Sequence, residues 1–326
     1  MNLIELDSFK KKLKFAENWK IMKKLAILGI IGTIGIFTSC SHSISDTEPT
    51  APTTDPEEKF PITLNVTSAS ASRLNDSGFE ENDAIGLYVS HPKNTEGNAL
   101  LPTGNYVDNM RFVLDNSNQW VPDQPIYWQD QTTHADFYVY YPYSASLTDA
   151  TAFTLRVAAD QSSLENFQSS DFTYGKTLDV TPTQQAVNIM TNHVCSQMII
   201  YLKAGNGFTE EELKAAQISL KINSLKTEGS LNLANGEITL TGEAKDMTPY
   251  QGQEDYRLLV LPQSTTNGNL ITVNINGQDY FLNKNFTFTG GKIHRFTVTV
   301  NKSGNGVNVG VNPWEDDGTD NGGVAM

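Results

Sequence analysis

The chain has 326 residues, with 37 Asp and Glu against 23 Lys and Arg, and a formal charge of −14. So acidic a balance excludes a nucleic-acid partner, because neutralising phosphates needs a basic face. Its two cysteines, Cys40 and Cys195, allow at most one bridge, which excludes a fold stapled by disulfides.

The first apolar stretch runs from Leu25 to Phe37, 13 residues, against the roughly 17 to 25 that a membrane-crossing helix needs. Lys23 and Lys24 precede it and the small residues Thr38 and Ser39 follow it, the three-part layout of an export signal. The pattern resembles a bacterial lipoprotein signal, in which the next residue, Cys40, becomes the first mature residue and carries acyl chains. Phe37 departs from that pattern, where an aliphatic residue is commoner. The other reading is an ordinary signal cut with Cys40 incidental. Met22, followed by two lysines, reads as the translation start, so residues 1–21 form an upstream extension; if translated, they lengthen the charged segment.

Residues 1–39 hold 7 of the Lys and Arg and 3 of the Asp and Glu, which leaves 16 against 34 and a charge of −18 from Cys40 onward. The 287 residues from Cys40 exceed the roughly 100 to 200 of a usual domain, so two domains are expected. Residues 40–61 come first. Their "SHSISDTEPTAPTTDPEEK" is acidic and rich in Pro and Thr, the composition of a solvated tether.

From Ile62 the chain reads as strands. In "PITLNV", Ile62, Leu64 and Val66 alternate with Thr63 and Asn65, the period of a half-buried strand. "AIGLYVS", "MRFVL", "DFYVYY", "AFTLRV", "DFTYG" and "AVNIMT" follow, separated by Gly, Asn, Asp and Pro, and make a first all-β unit, 62–191. A second unit, 192–326, opens on "HVCSQMIIYLKA", where Cys195 reads as a small buried hydrophobe. It continues through "AQISLKI", "GSLNL", "EITLTG", "YRLLVLP", "LITVNI", "DYFLN" and "HRFTVTV" to a polar, acidic tail. Asn235-Gly236 and Asn276-Gly277 each predict a type I′ hairpin turn. One helix is predicted, in "FTEEELKAA", where Thr209 and Glu212 spell a capping box. The expected fold is all-β, two β-sandwiches in tandem with one short helix.

"ENDAIGLYV", "QPIYWQD", "ADFYVYYPY", "AADQSS", "SDFTYG", the H-x-x-S-x-M-x-I-x-L run from His193 to Leu202, "YRLLVLPQ", "GGKIHRFTVTV" and "VNPWEDD" together resemble the fimbrillin family of Bacteroidales, the Mfa-like lipoprotein pilins. The resemblance covers the whole chain after the signal, in order. It implies transthyretin-like sandwiches, export as an outer-membrane lipoprotein anchored through Cys40, and a structural role in a surface fimbrium, in adhesion, with other fimbrial subunits as partners. It also implies polymerisation by strand exchange: an arginine-directed protease removes the first strand, and a neighbour's terminal segment fills the groove.

On that expectation Arg73 is the cleavage site and Leu74 the new first residue, because Arg73 is the only arginine between Cys40 and Arg111 and lies in the small, polar "SASASRLNDSG". The displaced strand would carry Ile62, Leu64 and Val66. The donor candidate is "GVNVGVNPW", with Val307, Val309 and Val311 on one side and Asn308 and Gly310 on the other. Two alternatives stand: Arg73 as a loop arginine, and 306–311 as the last strand of its own domain.

Other chemistry is thin. His42, His91, His134, His193 and His294 show no metal-ligand spacing, and neither a phosphate loop nor a nucleophile elbow is present, so neither cofactor nor metal nor catalysis is expected. "WEDDGTDNGG" lacks the spacing of a calcium loop. The rival function is glycan binding on exposed rings, with Trp120, Trp128 and the outward tyrosines of "DFYVYYPY" as platform; against it stands the reading of that segment as a strand buried on both faces.

Overall fold

The computed structural model describes residues 59–68, 78–90, 100–266, 268–302 and 323–325. In chain order the strands are β1 (Leu64–Ser68), β2 (Ala84–Val89), β3 (Val107–Leu114), β4 (Trp120–Pro122), β5 (Ala135–Tyr141), β6 (Phe153–Arg156), β7 (Thr173–Val180), β8 (Val187–His193), β9 (Ser196–Ala204) and β10 (Ile218–Leu231). They continue as β11 (Ile238–Met247), β12 (Tyr250–Gln251), β13 (Tyr256–Val260), β14 (Gln263–Thr265), β15 (Asn269–Ile275), β16 (Gln278–Asn283), β17 (Phe286–Phe288), β18 (Ile293–Val300) and β19 (Gly323–Ala325). Among the described residues two short helices, α1 (Leu164–Ser169) and α2 (Glu210–Ala215), interrupt them.

The all-β expectation is correct. Seven strands form one sheet in the order β1-β8-β7-β5-β2-β3-β4. One face of it is apolar throughout: Leu64 and Val66 on β1, Ile85, Leu87 and Val89 on β2, Phe137 and Val139 on β5, and Val187 and Ile189 on β8 share a core with Trp120 and Trp128. The opposite face of β2 and β5 presents Tyr88, Tyr138 and Tyr140 to a second core, shared with Met198, Ile200, Phe296 and Val298. β5 is therefore buried on both faces, which is why its sequence is a continuous apolar and aromatic run.

The second core lies between two five-stranded sheets, one built on β11-β10-β15-β16 and the other ordered β12-β13-β9-β18-β19. β6 joins the first of these through antiparallel pairing with β10, Phe153 opposite Leu231 and Arg156 opposite Glu228. β19 lies parallel to β18, Val298 to Val300 against 323–325, a strand too short to read in a tail of acids and glycines.

Two local expectations need correction. The first is the single helix. α2 has the capping box: the Thr209 hydroxyl accepts from the Glu212 N–H at 3.1 Å and the Glu212 carboxylate accepts from the Thr209 N–H at 2.9 Å. α1 is additional; Ser163 caps it by accepting from the Asn166 N–H, and Phe167 is its one buried residue, so no apolar period announced it. The second concerns the turns. Asn276 and Gly277 both have positive φ and join Ile275 to Gln278 in a two-residue turn. Asn235-Gly236 does not: Gly236 alone is positive, and Asn232 pairs with Glu237 around a longer loop in which Asn232 and Asn235 side chains accept from Ala234 and Glu237 N–H groups.

Candidate functional site

β1 is a border strand, and Ile62, Leu64 and Val66 point inward as the alternation requires, Ile62 at 2 % exposure, while Thr63, Asn65 and Thr67 face solvent or its margin. On one side β1 runs parallel to β8, Leu64 beside Val187 through Ser68 beside Thr191. The Val187 N–H donates to the Thr63 carbonyl at 2.8 Å, and across the outer surface the Asn65 side-chain amide donates to Asn188 Oδ1 at 2.7 Å.

The residues leading into β1, and β1 itself, are also engaged on the other side. The Ile62 N–H donates to the Ile126 carbonyl and the Trp128 N–H to the Phe60 carbonyl, both at 2.9 Å, with Pro61 bridged antiparallel to Tyr127. The indole N–H of Trp120, on the opposite border strand β4, donates to the Val66 carbonyl at 3.3 Å. The seven-stranded sheet thus curls until its two borders meet, and β1 is the stave that closes it. Phe79 meets Trp120 edge-on, with centroids 5.2 Å apart, and seals that seam.

At its end β1 meets a buried histidine–aspartate contact. His193 Nδ1 and Asp171 Oδ1 lie 2.7 Å apart with side chains 8 % and 4 % exposed, and Ser68 Oγ is 3.5 Å from His193 Nε2. Next to them the Cys195 thiol donates to the Ser170 carbonyl at 3.4 Å; burial, reinforced by the Asp171 charge, pushes its pKa up. Cys195 is a buried free cysteine, as expected for a small core residue.

Of the other residues singled out from the sequence, Cys40, Arg73, Leu74, Val307, Val309, Val311, His42 and His91 lie outside the described residues. His134 contacts Asp179 at 3.1 Å on the surface, and His294 Nε2 accepts from the Thr289 N–H at 3.1 Å. Among the described residues no three His, Cys, Asp or Glu side chains are grouped to hold a metal ion. The ring platform for glycans is overturned: Trp128 is 2 % and Trp120 7 % exposed, Tyr138 and Tyr140 are buried, and Trp120 spends its indole N–H on Val66. Burial in two cores leaves those ring faces nothing to offer a sugar. Sequence reasoning missed Trp120 as the clasp of β1 and Asp171 as the partner of His193; an acid and a histidine inside apolar strands were the available signals.

The fimbrillin-like family matches residues 72–314. A Bacteroides uniformis protein named as fimbrium subunit Fim1C is 26 % identical over 307 residues, covering 90 % of this chain and 96 % of its own length. A Bacteroides ovatus protein named as fimbrium tip subunit Fim1C is 26 % identical over 264 residues, 73 % of this chain, which spans 46 % of that protein. A crystal structure of a Bacteroides uniformis protein described under cell adhesion superposes with a TM-score of 0.56 at 22 % identity, covering 74 % of this chain and 93 % of that one, which is a likeness of fold. The chain belongs to the fimbrillin-like family.

Proposed function

We propose that this protein is a structural subunit of a surface fimbrium, active in adhesion, exported as an outer-membrane lipoprotein through acylation of Cys40 and joined to other fimbrial subunits by strand exchange. The observation that carries the reading is the position of β1. Among the described residues it is the first strand, it closes a seven-stranded sheet, and the segment following it contains Arg73. Cleavage after Arg73 would free Ile62, Leu64 and Val66 from a seat whose borders, β8 on one side and Trp120 with residues 126–128 on the other, are already in place. A terminal segment carrying Val307, Val309 and Val311 would refill it. In this reading 62–191 and 192–326 are the two bodies of the subunit, with β6 as an arm from the first into the sheet of the second, residues 40–61 are the tether, and the membrane is reached only through the acyl chains.

N-terminal sequencing of the surface form tests this, together with electrophoresis in sodium dodecyl sulfate. Assembled subunits should begin at Leu74 and run as a detergent-resistant ladder. Surface protein that begins at Cys40 and stays monomeric would overturn the reading.

A further inference from the structure

Residues 301–322 separate the end of β18 from β19, and Val311 lies nine residues past Lys302, an extended reach of about 30–32 Å toward a second copy. Resting on the strand-exchange reading above, we infer that residues 305–311 of a second copy enter the β1 seat in reverse, antiparallel to β8, where β1 itself runs parallel.

The seat makes five demands on its occupant. Three inward positions, those of Ile62, Leu64 and Val66, are buried and apolar. The position of Asn65 faces Asn188 within hydrogen-bond distance, and that of Ser68 faces His193. In reversed order "NGVNVGV" meets all five: Val311 takes the place of Ile62, Val309 of Leu64, Asn308 of Asn65, Val307 of Val66 and Asn305 of Ser68. Gly310 and Gly306 fall at the outward places of Thr63 and Thr67.

The same segment in the direction of β1 meets fewer demands. With Val307 at Ile62, the valines fit, but Gly310 falls opposite Asn188 and Pro313 at Ser68. Shifted by two so that Asn308 meets Asn188, the segment places Asn305 at Ile62, burying an amide where an aliphatic belongs and setting Val311 beside His193. Reversal also suits the edge. The Val187 N–H faces the β1 seat, so Val187 and Ile189 form hydrogen-bonded antiparallel pairs with Val309 and Val307. Asn188 and Met190 then sit in the closer, non-hydrogen-bonded pairs.

Disulfide trapping distinguishes the registers. Met190 is 61 % exposed on the outer surface of β8, beside Thr67. Opposed α-carbons in a non-hydrogen-bonded antiparallel pair are about 4.5 Å apart, within disulfide reach. Cells would co-express one copy bearing Met190→Cys with a second bearing Gly306→Cys, Gly310→Cys or Asn312→Cys, and assembled fimbriae would be mildly oxidised. Reversed insertion expects a covalent dimer with Gly306→Cys and its loss with the other two. A dimer with Asn312→Cys, or with Gly310→Cys, identifies one of the two forward registers and overturns the reversal while strand exchange stands. A ladder without any of the three dimers overturns 305–311 as the occupant. Wild-type copies that form no ladder overturn strand exchange itself, and the register with it.

Discussion

The indole N–H of Trp120 donates to the backbone carbonyl of Val66 at 3.3 Å, and through that bond β4 and β1, the two border strands of a seven-stranded sheet, clasp each other. Trp120→Phe keeps a ring against Phe79 and removes the donor. With the Val66 carbonyl left without that donor, the body should lose about 1–3 kcal/mol in chemical denaturation. A change within error would show that the clasp contributes nothing to holding β1.

Alternation along β1 predicts a contrast between neighbours. Leu64 is buried among the apolar side chains of the curled sheet, whereas Thr63 is exposed. Leu64→Ala should cost about 2–5 kcal/mol, and Thr63→Ala should stay within about 0.5 kcal/mol, the usual range for a surface site. Equal effects at the two positions would contradict the seating of the strand. Limited proteolysis offers a second reading, since a loosened β1 should be removed faster from Leu64→Ala than from Thr63→Ala.

Much of this fold is written locally in the chain. All fifteen apolar runs read as strands lie in strands, although "AQISLKI" and "GSLNL", read as two, are the two ends of the single β10, because a strand shows its period within five to eight residues but not how far it continues. The capping box of α2 and the Asn276-Gly277 turn are equally local. What the chain does not show is partnership at a distance. Val66 and Trp120, 54 positions apart, meet only because the sheet curls, and curl follows from the summed twist of seven strands rather than from any residue pattern. Three-residue β4 and β14 are too short to carry a period. The aromatic platform failed for the same reason: alternation says that two faces exist, and only the packing of a second core against β5 decides that neither is wet.

His193 and Asp171 should respond unequally to truncation. Both are buried, 2.7 Å apart. Removal of Asp171 leaves an imidazole that can stay neutral, so Asp171→Ala should cost about 1–3 kcal/mol, the penalty of an unmade buried hydrogen bond. Removal of His193 leaves a carboxylate in the same burial, and His193→Ala should cost about 3–5 kcal/mol. The double variant should be less destabilised than the sum, and additive costs would show the pair to be uncoupled.

Gly175 on β7 is required by the backbone of β8. A β-carbon there would come within 2.3 Å of the Met190 carbonyl oxygen and 2.9 Å of the Thr191 α-carbon, and neither is the yielding end of a side chain. Gly175→Ala should therefore part β7 from β8 and cost at least about 1–3 kcal/mol. Because β8 carries β1, amide exchange in 64–68 should rise along with it; protection in β1 unchanged by the substitution would separate the two strands' stabilities.

The buried thiol of Cys195 sets a pH dependence with a definite sign. Burial first, then the Asp171 charge, raises its pKa in the fold, above the value of about 8.5 that an unfolded chain would show. The folded state then holds a proton that the unfolded state releases. Its contribution is complete below the unfolded pKa and is lost progressively as pH rises beyond it, at up to about 1.4 kcal/mol per pH unit. Tyr88, Tyr140 and Tyr174, also raised by burial, add their own alkaline loss only above about pH 10. Between about pH 8.5 and 10 the slope of unfolding free energy should therefore come from Cys195, and Cys195→Ala should flatten it whatever its effect on the absolute stability. In the same window iodoacetamide should modify the native protein slowly and the denatured protein quickly, since the thiolate is the nucleophile. Rapid native labelling, or a slope unchanged in Cys195→Ala, would show that the thiol is not held protonated by its surroundings.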